Sequence, residues 1–277
     1  MIPVGFIEAL YFLIKIHPKV TLSFGGYSAF PVVFWSWVLG IPVVIHEQTV
    51  AAGRSSMASS FFARAVAISR PESYKYFDSK KAVLTGNPLS DEIKRVSIKK
   101  TLAAKKTILV FGGSRGSEFI NEEIAKILPK LTSKYRVIHI TGERDYFKYK
   151  DTASENYNVL EFVNPRQMAD LYKTADLVIS RSGANTVSEI IYVKRPSILI
   201  PLPKTFMNEQ YKNAEYAKEF GVAEILTEEE VSSGKLLPLI ENMFSRWTKI
   251  VSSIESKPSP DENASKKLVD LLSETLP

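Results

Sequence analysis

Residues 107–132 read TILVFGGSRGSEFINEEIAKILPKLT. The β-prone run Thr107 to Phe111 breaks into Gly112-Gly113-Ser114-Arg115-Gly116, and apolar residues then recur at Ile120, Ile124, Ile127, Leu128 and Leu131, the spacing of one helical face. A strand that turns through glycines into an amphipathic helix opens a βαβ unit. Because right-handed crossovers bring successive strands side by side, such units build a parallel sheet covered by helices. The alternation continues downstream, with strands expected at Arg136 to Ile140, Val159 to Phe162, Leu177 to Ser180, Ser197 to Pro201 and Ala223 to Leu226. A helix is expected over Leu236 to Ile254. Pro258 and Pro260 then interrupt the chain before a last amphipathic segment, Asp261 to Leu272.

Upstream, Val20 to Ile45 carries no charged side chain, which raises the possibility of a membrane span. Gly25-Gly26, Pro31, Gly40 and Pro42 divide it instead into a strand (Val20 to Phe24), a helix (Ala29 to Leu39) and a second strand (Ile41 to Ile45). Pro3 to Ile16 reads as a helix on the same sheet, without the basic start and small-residue cleavage site of a secretory signal. Ala65 to Ile68 and Ala82 to Leu84 complete the strands of this half, and Gly86-Asn87-Pro88 stops the chain after the second. The Lys-rich, glycine-free connector Val96 to Lys106 marks the expected boundary. The expected domains are residues 1–97, residues 98–257, and a terminal helix over 258–277 that returns to the first.

Composition narrows the classes of function. The chain has 277 residues, 45% hydrophobic and 24% charged, enough core for two packed α/β halves and too apolar for disorder. The lack of cysteine excludes disulfides, thiol nucleophiles, iron–sulfur clusters and Cys-ligated zinc. A formal charge of +6 favours anionic partners, such as nucleotides, phosphates, acidic lipids or nucleic acid, without choosing among them.

In an open parallel sheet, ligands bind at the carboxyl ends of the strands, so the turns there are the candidate site. The GGxxG turn at Gly112 to Gly116 is neither GxGxxG nor a P-loop, which argues against a dinucleotide or ATP. It reads either as a phosphate cradle, with Ser114, Arg115 and helical N–H groups as donors, or as a plain tight turn. The turn Arg181-Ser182-Gly183-Ala184-Asn185-Thr186 precedes Glu189. Thr186 and Glu189 fit a capping box, whereas a functional Glu189 would accept two hydrogen bonds from a ribose diol. Asn208, Glu209 and Gln210 start a helix and suit either sugar hydroxyls or a polar cap. In the first half, Gly25-Gly26-Tyr27-Ser28 opens a helix, and His46-Glu47-Gln48-Thr49 ends a strand. His46 and Glu47 resemble an acid/base pair, yet adjacent strand residues face opposite sides. His17 and His139 are isolated and read as structural or solvated. Nothing matches HExxH, an EF-hand, a zinc pattern or GxSxG, so no metal site is expected.

Taken in order, Gly25-Gly26-Tyr27, Ile41 to Gln48, Gly86-Asn87-Pro88, Phe111 to Asn121, Ala175 to Ile190 and Gln210 to Ala214 resemble the MurG family. These cell-wall transferases add N-acetylglucosamine to undecaprenyl-diphosphate-linked muramyl-pentapeptide, the step from lipid I to lipid II in peptidoglycan synthesis. The resemblance implies the GT-B fold, an α/β architecture of two Rossmann-like domains with parallel sheets. It also implies that the family's first βαβ portion and its Gly-Gly-Thr-Gly-Gly-His loop are not represented in this chain, leaving the amino-terminal domain incomplete. That loop holds the family's candidate general base, so no catalytic residue is assigned here.

By the same resemblance, Gly112, Gly113, Ser114, Arg115 and Gly116 form the loop that holds the donor diphosphate, and backbone near Val163 reads the uracil edge. Glu189 takes the ribose hydroxyls. Arg181, Ser182, Gly183, Ala184, Asn185, Thr186 and Gln210 line the donor, with Ala184, Asn185 and Gln210 at the sugar. Gly25, Gly26, Tyr27, His46 and Glu47 belong to the acceptor side. Thr49 replaces an Asn that the family places beside the donor sugar, and Ser90 replaces an Arg near the nucleotide.

The implied reaction is inverting transfer from UDP-N-acetylglucosamine, with no metal and no cofactor, at the cytoplasmic face of the cell membrane. The expected partners are the lipid-linked acceptor and the inner membrane surface, with no nucleic acid. Two other readings stand beside this one. The chain is a non-catalytic donor-binding fragment or subunit that needs a separate amino-terminal half, or it is another GT-B enzyme such as a UDP-sugar epimerase. Phe6, Phe12, Phe34, Trp35 and Trp37 fit either a core or a membrane contact, with the core favoured.

Overall fold

The computed structural model describes residues 2–276 and divides into two compact units, residues 1–88 with 260–277, and residues 89–259. The first boundary falls at Pro88/Leu89 rather than after residue 97. Leu89, Ile93 and Val96 explain the shift, because they are buried in the second unit's core with Ala169, Tyr172 and Val187. Burial of these three side chains commits residues 89–96 to the second unit. The second boundary, Ser259/Pro260, lies between the two prolines.

In the first unit, β1 (Thr21–Ser23), β2 (Val43–Glu47), β3 (Ala65–Ile68) and β4 (Ala82–Leu84) form a parallel sheet in chain order. Alternate residues face opposite sides, as the pleat requires. Val43, Ile45, Val66 and Ile68 pack with Val33 of α2 (Phe30–Val38). Val44, Ala65 and Ala67 pack with Leu268 and Leu271 of the terminal helix Ala264–Thr275. The apolar stretch from Val20 to Ile45 is thus β1, α2 and β2. No helix among the described residues is long and apolar enough to cross a membrane.

Helix α1 (Ile2–Ile16) buries Ala9 and Leu13, and its Phe6 ring meets Phe30 and Phe34 of α2 edge to face. The core role favoured for the aromatics fails for Phe12 and Trp37, which are each 53% exposed. A helix buries one stripe, and these two lie off it. Phe6, Phe34 and Trp35 are half-buried.

The terminal segment is held to the first unit by a buried ion pair. Arg70 donates to both carboxylate oxygens of Asp261, at 2.7 and 2.9 Å, and the Asn87 N–H donates to the same carboxylate at 2.7 Å. The pair's side chains are 3% and 0% exposed. Gly86 has φ +86, and a Cβ there would lie 2.7 Å from the Pro260 carbonyl oxygen, so only glycine lets the two segments meet.

The second unit is a six-stranded parallel sheet. Its strands are β5 (Thr107–Phe111), β6 (Arg136–Ile140), β7 (Tyr157–Leu160), β8 (Leu177–Ser180), β9 (Ser197–Leu199) and β10 (Ala223–Ile225), in the spatial order β10-β9-β8-β5-β6-β7. The chain winds outward from β5 through β6 to β7, then returns to β8 on the other side of β5. That reversal opens a crevice above the carboxyl ends of β5 and β8. Register sets the neighbouring turns level, since Phe111 pairs with both Ile140 and Ser180.

Several bounds differ from expectation: β2 runs Val43–Glu47 rather than Ile41 to Ile45, and β9 ends at Leu199 rather than Pro201. Strand β7 starts and ends two residues earlier than the expected Val159 to Phe162, which leaves Phe162 and Val163 in the following loop. The helix expected over Leu236 to Ile254 is two helices, Leu236–Ser245 and Trp247–Ile254, broken at Arg246 (φ −109, ψ 14). The break seats the fully buried Trp247, whose indole N–H donates to the Asp176 carbonyl at 2.7 Å.

Removing one partner of a buried ion pair strands the other charge, so Asp261→Ala is expected to lower stability by about 3 to 5 kcal/mol. The double variant Arg70→Met/Asp261→Leu should recover most of that loss in urea titrations. Equal losses in the single and double variants would show that the pair's charges are not what matters.

Candidate functional site

At the reversal point the second unit holds a cleft of about 330 Å3. One wall is Gly113 and Ser114 after β5, a second is Asn185, Thr186 and Glu189 on α8 (Ala184–Val193), and a third is the loop Glu161 to Pro165. Ser90 and Ile93 close one end.

The three glycines of the first turn have different duties. A Cβ on Gly112 would stand 2.2 Å from the Ser117 nitrogen, and one on Gly116 (φ +72) would stand 2.2 Å from the Thr141 carbonyl oxygen. Both are demanded by packing against backbone. Gly113 (φ +86) has nothing within 4 Å and borders the cleft, so its glycine is required by φ alone. Helix α5 (Glu118–Thr132) follows, with Ser117 as its N-cap accepting from the Ile120 N–H at 3.4 Å. Arg115 is exposed and lies outside the cleft lining, in contrast to its assignment to the donor loop.

The second turn overturns the capping-box alternative. Helix α8 starts at Ala184 with Gly183 as N-cap, so Thr186 stands inside the helix. The Glu189 carboxylate instead accepts the Tyr172 hydroxyl at 3.0 Å, from α7 (Pro165–Thr174). Burial pushes the Glu189 carboxyl up to about 7, although the hydrogen bond from Tyr172 pulls the other way. Tyr172 is itself fully buried, and burial followed by the charge of Glu189 raises its hydroxyl well above the usual phenol range. A half-buried carboxyl that titrates near neutrality at a cleft wall is a candidate ligand-binding group.

Arg181 and Ser182 do not line the cleft. The Arg181 guanidinium is used up by the Ser117 hydroxyl, the Ile200 and Pro201 carbonyls (each at 3.2 Å) and Glu228 at 2.6 Å. It braces the cap of α5 from behind. The Ser182 hydroxyl donates to the Gln210 carbonyl at 2.7 Å, and Asn213 donates to the Ser182 carbonyl at 3.2 Å. These bonds tie the start of α8 to α9 (Glu209–Phe220). The Gln210 side chain accepts the Leu202 N–H at 3.0 Å, and Gln210 is likewise outside the lining. Asn208 precedes α9 in the left-handed region (φ 53) and makes no side-chain cap, so the polar-cap alternative is absent there.

In the first unit, His46 is fully buried, with Nε2 3.0 Å from the Gly86 carbonyl oxygen, and burial lowers its pKa. The neutral ring therefore donates from Nε2. Glu47 accepts from Thr49 N–H (3.0 Å), Thr49 hydroxyl (2.9 Å) and Gly53 N–H (3.0 Å), which shapes the loop after β2. Both side chains are committed to other partners, so the acid/base pairing of His46 with Glu47 does not form. Gly25 (φ +81) and Gly26 (φ +85) adopt a turn closed to other residues, with the Gly26 N–H on the Ser55 hydroxyl at 3.1 Å and Tyr27 77% exposed.

Sequence reasoning missed Tyr172, Glu161, Asn164 and Met168. Asn164 and Gln167 form a full capping box around Pro165, a signal legible in Asn-Pro-x-Gln. Ser90 caps a single helical turn, Asp91–Lys94, besides bordering the cleft. Among the described residues no group of three or more His, Asp or Glu side chains could hold a metal ion.

Two parallel-sheet units with a cleft at a switch point define the class, and comparison with known proteins narrows it. The chain matches the glycosyltransferase family 28 C-terminal domain over residues 107–272 and the N-terminal domain of that family over residues 2–68. It is 33% identical over 276 residues to the UDP-N-acetylglucosamine–N-acetylmuramyl-(pentapeptide) pyrophosphoryl-undecaprenol N-acetylglucosamine transferase of Clostridium kluyveri, covering 97% of this chain and 77% of that one. The Bacillus subtilis enzyme of the same name is 34% identical over 244 residues, 84% of this chain and 67% of its own. The crystal structure of Acinetobacter baumannii MurG superposes with TM-score 0.75 at 27% identity, over 97% of this chain and 77% of that one. An S. aureus MnaA–UDP structure, at 12% identity and TM-score 0.72 over 99% and 79% of the two chains, shares the fold.

The fold is GT-B, and the protein is a glycosyltransferase. It belongs to glycosyltransferase family 28, among the MurG transferases, and spans 77% of the Clostridium kluyveri relative's length.

The two kinds of glycine separate experimentally. Gly113→Ala is expected to cost about 1 to 2 kcal/mol, the strain of a left-handed residue. Gly116→Ala adds a backbone collision and should cost distinctly more, read as a larger drop in thermal midpoint. Equal drops would show that the Thr141 contact yields freely.

Proposed function

We propose that this chain moves N-acetylglucosamine from UDP-N-acetylglucosamine to the C4 hydroxyl of undecaprenyl-diphosphate-linked muramyl-pentapeptide, with inversion at the anomeric carbon. The observation that carries the reading is the Glu189–Tyr172 pair facing Gly113 and Ser114 across one cleft. A carboxylate opposite a glycine turn at a helix start suits a nucleoside diphosphate, the carboxylate taking the ribose diol and the turn the phosphates. The family's relatives carry the name of that reaction.

In this reading the backbone near Val163 reads the base and Glu189 accepts both ribose hydroxyls. Asn185, with Ala184 and Gln210 behind it, adjoins the sugar. As the glycosidic bond breaks, the growing diphosphate charge is met by the N-terminal end of α5. The reading includes no metal and no organic cofactor. The acceptor places the protein at the cytoplasmic face of the membrane as a peripheral enzyme, where the exposed apolar residues of α1, such as Ile7 and Phe12, meet lipid.

Two measurements test this. Calorimetry should show UDP-N-acetylglucosamine binding, and turnover should appear on acceptor presented in anionic vesicles with EDTA present. No binding at millimolar donor sinks the cleft assignment, whereas binding without transfer favours a donor-binding subunit. EDTA-sensitive turnover would refute the metal-free step.

The Glu189 carboxyl supplies a pH signature. Burial raises its pKa from the ordinary 4.5 to about 7, so below that pH the free protein holds a proton there that binding must release. Donor affinity should therefore fall roughly tenfold between about pH 8 and about pH 6, and the slope should vanish in Glu189→Gln. By the same linkage, the site's contribution to stability is greatest below the ordinary pKa and is lost as pH rises through about 7. A flat pH profile in the wild type would remove Glu189 from the ribose site.

A further inference from the structure

Asn121 is fully buried in the first turns of α5, one turn beyond the glycine loop. Its amide Nδ2 donates to the Thr141 carbonyl oxygen at 2.9 Å and to Asp145 Oδ2 at 3.0 Å. Its Oδ1 lies 2.9 Å from His139 Nε2, and His139 Nδ1 lies 2.8 Å from the Tyr157 hydroxyl.

These four contacts admit one proton arrangement. With Nδ2 facing two acceptors, Oδ1 must accept, so His139 carries its proton on Nε2 and takes the Tyr157 hydroxyl proton at Nδ1. The ring is neutral in this scheme, and burial, which lowers its pKa to about 4, keeps it so. His139 is thus a fixed donor inside the second unit rather than the isolated residue its sequence position suggests.

The carbonyl that Asn121 grips is the one that limits the glycine loop. A Cβ on Gly116 would lie 2.2 Å from the Thr141 oxygen, and one on Gly142 would lie 2.8 Å from both the Arg115 oxygen and the Gly116 Cα. The loop from Gly112 to Ser117 therefore rests on Thr141–Gly142, and Asn121 clamps that support to the same helix the loop leads into. Asp145 extends the clamp to α6 (Glu143–Tyr149). Burial opposes ionisation of Asp145, but hydrogen bonds from Arg144 and Asn121 hold its carboxyl below the usual range.

We propose that Asn121 is a positioning residue for the donor diphosphate: through Thr141 and His139 it holds the Gly113–Ser114 backbone in the geometry that receives phosphate. This rests on the cleft being a nucleoside-diphosphate site. Asn121 does not line the cleft, so its effect passes through the loop and falls on the phosphates more than on the nucleoside.

The test compares affinities for uridine and UDP by competition calorimetry, alongside the thermal midpoint. In Asn121→Ala the UDP-over-uridine advantage should shrink about tenfold, the scale of one or two misplaced hydrogen bonds to charged oxygens, while uridine affinity stays within about twofold. His139→Phe keeps an aromatic ring at the position and removes the bond to Asn121 Oδ1 together with the one from the Tyr157 hydroxyl. It should shift the ratio in the same direction by a smaller factor, and it carries the test if Asn121→Ala does not fold. A lowered thermal midpoint with an unchanged ratio in either folded variant would make Asn121 a plain core residue and overturn the proposal. Failure of the wild type to bind UDP would instead overturn the nucleotide reading of the cleft itself.

Discussion

The second unit depends on the contact between two backbone turns, in which Gly116 lies against Thr141 and Gly142 with no space for a Cβ on either glycine. Neighbouring parallel strands are separated by roughly 4.8 Å, so turns leaving them level must touch unless one bends away. Here they touch. Phe111 and Ile140 pair directly, the turns leave the sheet side by side, and the glycines let backbone meet backbone. Gly113 is then free to present its backbone to the cleft, because packing is satisfied by Gly112 and Gly116.

Polar groups arranged around this contact hold it without entering the cleft. Arg181 serves the Ser117 cap and the carbonyls after β9, so a side chain that the family resemblance puts in the donor lining works as a brace. Burying an arginine is tolerable when its donors are matched, and here the donors reach a hydroxyl, two carbonyls and the Glu228 carboxylate. Glu189 is the exception at the wall, since its hydrogen-bonding partner, Tyr172, leaves acceptor capacity unused toward the opening. That imbalance is what a binding group requires, and burial without a countercharge is what raises its pKa.

The first unit follows a similar logic with a different anchor. Asp261 gathers Arg70 and the Asn87 N–H into one buried cluster, so the terminal segment is seated by charge and by the small Ala65 and Ala67 face of the sheet. His46 and Glu47 serve the same end at the β2 terminus, one bonding Gly86 and the other shaping residues 49–53. Polar residues at a strand end look alike in sequence whether they bind substrate or backbone. The number of nearby N–H and C=O groups decides between the two, and that number belongs to the tertiary structure.

The chain's local pattern determined which segments form strands and which turns must contain glycine, because apolar periodicity and positive φ are properties of short segments. Ala65–Ile68, Thr107–Phe111, Arg136–Ile140 and Leu177–Ser180 fall at the residues expected. Motif order likewise carried the family. Local pattern could not decide that Leu89, Ile93 and Val96 join the second core, that Glu189 meets Tyr172 instead of capping α8, or that Asn121 meets His139. Each of those partnerships joins residues from different elements, brought together only when helices pack on the finished sheet. A hydrogen bond or a buried contact depends on distance in space, which a linear chain leaves open until its sheets close.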